Sequence, residues 1–166
     1  WACRLRCRRG GCIGNQGGPG RAIGCCVGLG LRRCDRFDRH GPAICIDLRH
    51  IAPRAEIAPS DLAAAVAKAG VAVPRGGTVL LCTGHHERTF PTAKYVTDNP
   101  GVNVEATEWL AKQGIVHFGI DSMRPGPEGK VSSLVHKACL ELDITHIESL
   151  CNLEALLGKG QFTFIG

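Results

Sequence analysis

The chain holds no run of 18 or more apolar residues, so it offers no candidate for a membrane-spanning helix. No continuous apolar stretch follows its charged N-terminal residues, so no secretory signal is expected. It has no internal repeat. Lysine is absent from the first 40 residues. The six cysteines there (Cys3, Cys7, Cys12, Cys25, Cys26 and Cys34) include no C-x-x-C pair, which argues against a zinc knuckle. The glycine run Gly14–Gly20 lacks the G-x-x-x-x-G-K-[ST] pattern and no strand precedes it, which argues against a phosphate cradle. Only one aromatic residue joins Trp1 in this segment, so its arginines make a poor case for a nucleic-acid arm.

What is present divides into two unlike parts. Residues 1–40 contain nine Arg, nine Gly, six Cys and two Asp, a formal charge of +7. Residues 41–166 contain eleven Lys plus Arg against thirteen Asp plus Glu, a charge of −2. The overall +5 is therefore a property of the first quarter and says nothing about partners of the rest. Arg, Gly, Cys, Trp and Pro without Lys is the composition of a GC-rich gene read out of frame. Residues 1–40 are accordingly expected to be a non-globular or out-of-frame segment, and residues 41–166 a partial α/β domain. The chain begins at Trp1 and stops in an expected strand at Phe162–Gly166, so both ends are expected to be cut. Cys45, Cys82, Cys139 and Cys151 lie in apolar runs and read as small buried hydrophobes of a reducing cytoplasm.

From residue 41 onward, strands and helices alternate. Ala43–Leu48, Thr78–Cys82, Ile115–Asp121, Ile144–Glu148 and Gln161–Ile165 are short apolar runs expected as strands. Pro59-Ser60-Asp61 opens a helix, with Ser60 as N-cap, that ends before Gly70, and Asn103 caps a helix from Val104 to Gln113 that stops at Gly114. Ser132 or Ser133 opens a third helix, and Asn152 caps a short one. This order implies an α/β fold with a substantially parallel sheet. Chemistry in such sheets gathers where strands end in loops. His85, His86 and Asp121 sit at such ends and are candidates for a substrate pocket, although each also suits a turn or a solvent-facing position.

His136 and Glu148 are twelve residues apart, one in a helical pattern and one at the end of the following strand. A strand returning alongside its helix brings imidazole and carboxylate together, a pairing that suits a divalent metal. His146 lies on the same side of the strand as Glu148 by alternation. It is expected to be structural or exposed, at best a neighbour of the carboxylate. Trp109 is expected in the core or at a subunit interface.

Residues Thr78–Gly166 resemble the cyclase family of metal-dependent hydrolases, which includes kynurenine formamidase and isatin hydrolase. The residues that carry the resemblance are Val79–Gly84, Glu105–Ala111, Gly119–Ser122, Val135–Lys137 and Ile147–Leu153, and it extends back to Gly41–Leu48. It implies a swivelling-type β/β/α domain with a small mixed sheet, incomplete at both ends, that assembles as dimers or tetramers. It implies hydrolysis of a small-molecule amide, either a formylated aniline or a cyclic amide, with zinc or manganese. His136 and Glu148 match the family's late His and Glu, which hold the second ion in two-metal members. The family's early H-x-G-T-H-x-D-x-P-x-H motif is missing. Two donors fall short of the three that catalytic zinc usually takes. An impaired hydrolase without stoichiometric metal after dialysis is therefore expected, with a non-catalytic subunit or binding module as the alternative.

Overall fold

The computed structural model describes residues 40–165, and the readings made for residues 1–39 lie outside them. Seven strands and five helices follow in order: β1 His40–Asp47, β2 Glu56–Ile57, α1 Pro59–Ala69, β3 Thr78–Cys82, α2 His85–Thr89, α3 Lys94–Thr97, β4 Gly101–Val102, α4 Val104–Gln113, β5 His117–Ile120, α5 Lys130–Glu141, β6 Thr145–Ile147 and β7 Phe162–Ile165, with a 3₁₀ turn at Leu153–Leu156 before β7.

The main sheet runs β6-β5-β3-β1-β7. All its pairings are parallel except β1 with β7. A parallel sheet is covered on both faces, and its strands read as continuous apolar runs. Thr78–Cys82 is buried at every position. Alternation divides these residues between two layers. Ile44, Ile46, Val79, Leu81, Phe118 and Ile120 meet Leu62 of α1, Leu110 of α4 and Val135 of α5 in the larger core. Cys45, Leu80 and Cys82 face the other way, under Leu153, Leu150 and Phe162. The α/β fold with a substantially parallel sheet expected from the alternation of elements is what forms, and the sheet is small and mixed as the resemblance implies. A separate two-stranded pairing, β2 with β4, was not legible, because two residues carry no periodicity.

Local signals hold where backbone chemistry dictates them. Asn103 accepts a hydrogen bond from the Ala106 amide at 2.9 Å, and Gly114 closes α4 in the left-handed region at φ 82°. Other boundaries moved. Helix α1 starts at Pro59, where proline's fixed φ suits the first turn, and Asp61 accepts from the Ala58 amide at 2.8 Å. Helix α5 starts at Lys130 behind Gly129, earlier than either serine would place it. His85 and His86, expected where a strand ends in a loop, instead open one short helix, His85–Thr89.

The sheet also sets the position of the segment after β6. A Cβ on Gly119 would lie 2.5 Å from Leu150 Cδ1 and 2.7 Å from Leu80 Cδ2, so any side chain here would force one of these leucine methyls to move. The amides of Ser149 and Leu150 donate to Ser122 O at 2.9 Å and Ile120 O at 3.1 Å. The chain on the C-terminal side of Glu148 is thereby tied to the end of β5.

Candidate metal centre

The face of β6 follows from its register. His146 pairs with Phe118, and Phe118 points into the helix-covered core. Neighbouring residues in register share a face, so His146 and, two residues on, Glu148 turn toward α5. The His146 ring stacks on Phe118 with centroids 5.7 Å apart.

Helix α5 supplies the second wall. Its buried stripe is Ser132, Val135, Ala138 and Cys139. His136 borders that stripe and reaches over the edge strand. His136 Nδ1 lies 2.7 Å from the Ser132 carbonyl oxygen. A carbonyl can only accept, so Nδ1 carries a proton, and in the neutral ring Nε2 presents a lone pair. That Nε2 is 3.4 Å from Glu148 Oε1, and His146 Nε2 is 3.2 Å from the same oxygen. The two imidazoles meet edge to face, 4.9 Å apart at 85°.

One ligand atom each from His136, His146 and Glu148 lies within 4.8 Å of the others. Among the described residues no other group of three His, Cys, Asp or Glu side chains does so. Ligands about 2.1 Å from one tetrahedral ion are roughly 3.4 Å apart, so the two separations to Glu148 match an ion's coordination edge. Burial, offset in part by Glu148, lowers the His146 pKa below its usual 6.5, which keeps the ring neutral and able to ligate at neutral pH. The donor set therefore fits a borderline divalent ion.

A cleft of about 520 Å³ opens beside the cluster, lined by Met123, Arg124, Glu128, Gly129, Ser132, Ser133, His136 and Glu148. Its size suits a small organic molecule. Arg124 spans the wall, donating to the Val96 carbonyl at 3.0 Å and lying 3.8 Å from Glu128.

The other pocket candidates lie elsewhere, and none of them lines this cleft. Asp121 is fully buried. Its carboxylate accepts from the amides of Thr83 (3.0 Å) and Gly84 (2.6 Å) and from the Thr83 hydroxyl. It clamps the β3–α2 turn, and burial pushes its pKa up against those hydrogen bonds. His85 is also buried, with Nε2 3.0 Å from the Tyr95 carbonyl. His86 stacks on Phe90 at 4.8 Å. His146 is the residue whose placement the sequence understated. The i, i+2 relation to Glu148 was the available signal, and the depth of the edge strand against α5 was the missing one. The cleft residues Met123, Arg124, Ser132 and Ser133 carried no motif at all.

Against protein families, residues 34–127 match the model of the Cyclase family, more than half of the chain. This chain belongs to the Cyclase family. The match starts seven residues ahead of the boundary expected at residue 41 and stops before His136. Among solved structures, the chain is similar to an isatin hydrolase bound to the product analogue thioisatinate, with 20% identity, a TM-score of 0.65 and coverage of 75% of this chain and 52% of that one. It is similar to isatin hydrolase A from Labrenzia aggregata bound to benzyl benzoate, with 22% identity, a TM-score of 0.60 and coverage of 74% and 52%. A third, described as a potential metal-dependent hydrolase with cyclase activity, gives 23% identity, a TM-score of 0.53 and coverage of 68% and 50%. At these identities the likeness establishes the fold, and the chain spans about half the length of the structures it matches. No curated protein sequence matches.

Proposed function

We propose that this cyclase-family chain carries part of the active site of a metal-dependent hydrolase that opens amide bonds in a small molecule, in a form with impaired turnover. The observation that carries the reading is the 3.4 Å approach of His136 Nε2 to Glu148 Oε1 at the wall of a substrate-sized cleft. The chemistry a zinc or manganese ion supplies at such a place is Lewis acidity toward a carbonyl oxygen and a lowered pKa for adjacent water. The protein's share is positional. Ser132 O fixes the His136 tautomer and aims Nε2 at the cleft edge. Glu148, held by the tied chain behind it, is the carboxylate that would hold the ion beside His136. Arg124 offers N–H donors to a polar substrate group.

The thioisatinate bound to one similar structure supports a cyclic amide as substrate, with a formylated aniline as the other member of the class. Impairment follows from the missing H-x-G-T-H-x-D-x-P-x-H motif, without which the full metal complement and a proton-shuttling histidine are lacking. The same gap favours a second reading, a non-catalytic subunit or binding module. Assembly as dimers or tetramers and a cytoplasmic site of action belong to this proposal. The four described cysteines are all free thiols, Cys45, Cys82 and Cys139 buried as expected and Cys151 exposed against expectation, and they support the latter. No helix among the described residues is long and apolar enough to cross a membrane.

The test is hydrolysis of isatin and of N-formylaniline by the 166-residue chain with added zinc or manganese. A slow rate that needs the metal and falls at least tenfold in His136→Ala supports the enzyme reading. Absence of any metal-dependent rate on either substrate refutes it for this chain and leaves the binding module.

A further inference from the structure

We propose that His146 is a third metal ligand, so that His136, His146 and Glu148 form a one-ion site contained in residues 136–148. The resemblance to the family accounts for His136 and Glu148 only. The inference rests on the proposed metal site at those two residues and not on amide hydrolysis.

Three observations carry it. The first is the shared oxygen. Glu148 Oε1 is 3.4 Å and 3.2 Å from the two imidazole Nε2 atoms, close to the ligand spacing around one tetrahedral ion, and all three ligand atoms lie within 4.8 Å of one another.

The second is the orientation of His136. With Nδ1–H donating to Ser132 O, Nε2 is the ring nitrogen turned toward the carboxylate oxygen and the one left to ligate in the neutral ring. A positive charge between that nitrogen and the carboxylate oxygen balances the pair, whether a proton on Nε2 or a bound cation, and a cation shared by three donors is the one that also engages His146. The Nδ1–H···O=C contact is also how ligating histidines are commonly oriented.

The third is the rigidity of His146. Its backbone is in register with Phe118 and its ring is stacked on that residue. Its position is therefore set before any ion arrives, and little ordering entropy opposes binding. Two imidazoles and one carboxylate leave a tetrahedral ion one open position. Mixed nitrogen and oxygen donors select zinc or cobalt over magnesium or calcium. The site compensates in part for the missing early motif. It provides three protein donors for one ion where the family pattern alone would leave two.

The experiment uses the full 166-residue chain, stripped with a chelator and titrated with Co²⁺ while its visible spectrum is recorded. Cobalt distinguishes this site from the cysteine-rich N-terminal residues, because thiolate ligation adds intense near-ultraviolet charge-transfer bands that histidine and carboxylate do not. One equivalent bound with tetrahedral visible bands and no thiolate bands is expected. His146→Asn and His136→Asn should each weaken binding at least tenfold, while His50→Ala, on an exposed turn, should leave it unchanged. Equal cobalt affinity in the wild-type chain and His146→Asn overturns the proposal, as does a spectrum made of thiolate bands alone. Should the variants unfold, zinc must shift the Nε2 resonance of His146 in the unmutated chain, and an unmoved resonance overturns it equally. A bound ion without hydrolysis upholds this site and counts only against the enzyme reading. Hydrolysis that survives His146→Asn with unchanged metal affinity counts only against this site.

Discussion

Removing the Asp121 carboxylate should destabilise the fold more than its lack of contact with the cleft suggests. Its two oxygens satisfy the amides of Thr83 and Gly84 and the Thr83 hydroxyl, all in a region closed to water. Asp121→Ala leaves two buried amides without acceptors, at about 1–3 kcal/mol each. Relief from burying a carboxylate returns part of that. The net loss is about 2–4 kcal/mol, on the order of a third of a typical domain's stability. Asp121→Asn keeps one acceptor but turns an amide group toward the Gly84 N–H or the Thr83 N–H, and should cost about 1–3 kcal/mol. Urea unfolding at fixed pH, with unchanged slope, measures both. The reasoning also has a pH arm. Burial holds the folded pKa of Asp121 above 3.8, so the folded state binds this proton more tightly than the unfolded chain. The stability linked to that proton is complete below pH 3.8 and is lost as pH rises through the folded value. That slope should vanish in Asp121→Asn. A loss under about 0.5 kcal/mol in Asp121→Ala would refute the claim that this carboxylate holds the β3–α2 turn, since that is the scale of ordinary surface substitutions.

Leu110, fully buried where α4 packs on the sheet, should cost about 2–5 kcal/mol on mutation to Ala, read as a lowered melting temperature. Asn103→Ala removes the cap of α4 and should cost about 1 kcal/mol, read from denaturant midpoints. Arg49 hydrogen-bonds the Asp47 carboxylate and lowers its pKa from 3.8 to about 2. Because the folded value is depressed, the stabilisation is present above pH 3.8 and disappears as pH falls toward 2. Asp47→Asn should flatten that acid limb in a pH series of thermal melts, while Glu56→Gln, a substitution on an exposed carboxylate, should not.

The parts legible in advance were those decided by local chemistry. The apolar runs Thr78–Cys82 and Ile115–Asp121 announced buried parallel strands, because a strand covered on both faces has no reason to alternate. Asn103 and Gly114 bounded α4 because one supplies a side-chain acceptor and the other tolerates positive φ. The two-residue strands β2 and β4 and the short α2 were not legible, since elements of that length are stabilised by their surroundings and not by their own pattern. Asp121 shows the same limit in the candidate pocket. A strand-end carboxylate can serve a substrate or a turn, and only the positions of the Thr83 and Gly84 amides decide between them.

By itself the order of residues determined an alternating α/β domain, two dissimilar segments of charge, and a histidine and glutamate placed to meet across a helix and the strand after it. The tertiary structure alone decided that His146 joins them. Strand alternation assigns a side of the strand, but how closely that side approaches a helix depends on the pairing of β6 with β5, on the Phe118 ring beneath His146, and on Gly119, which leaves room for Leu150. Distances between side chains from separate elements are products of packing, and no local pattern encodes them.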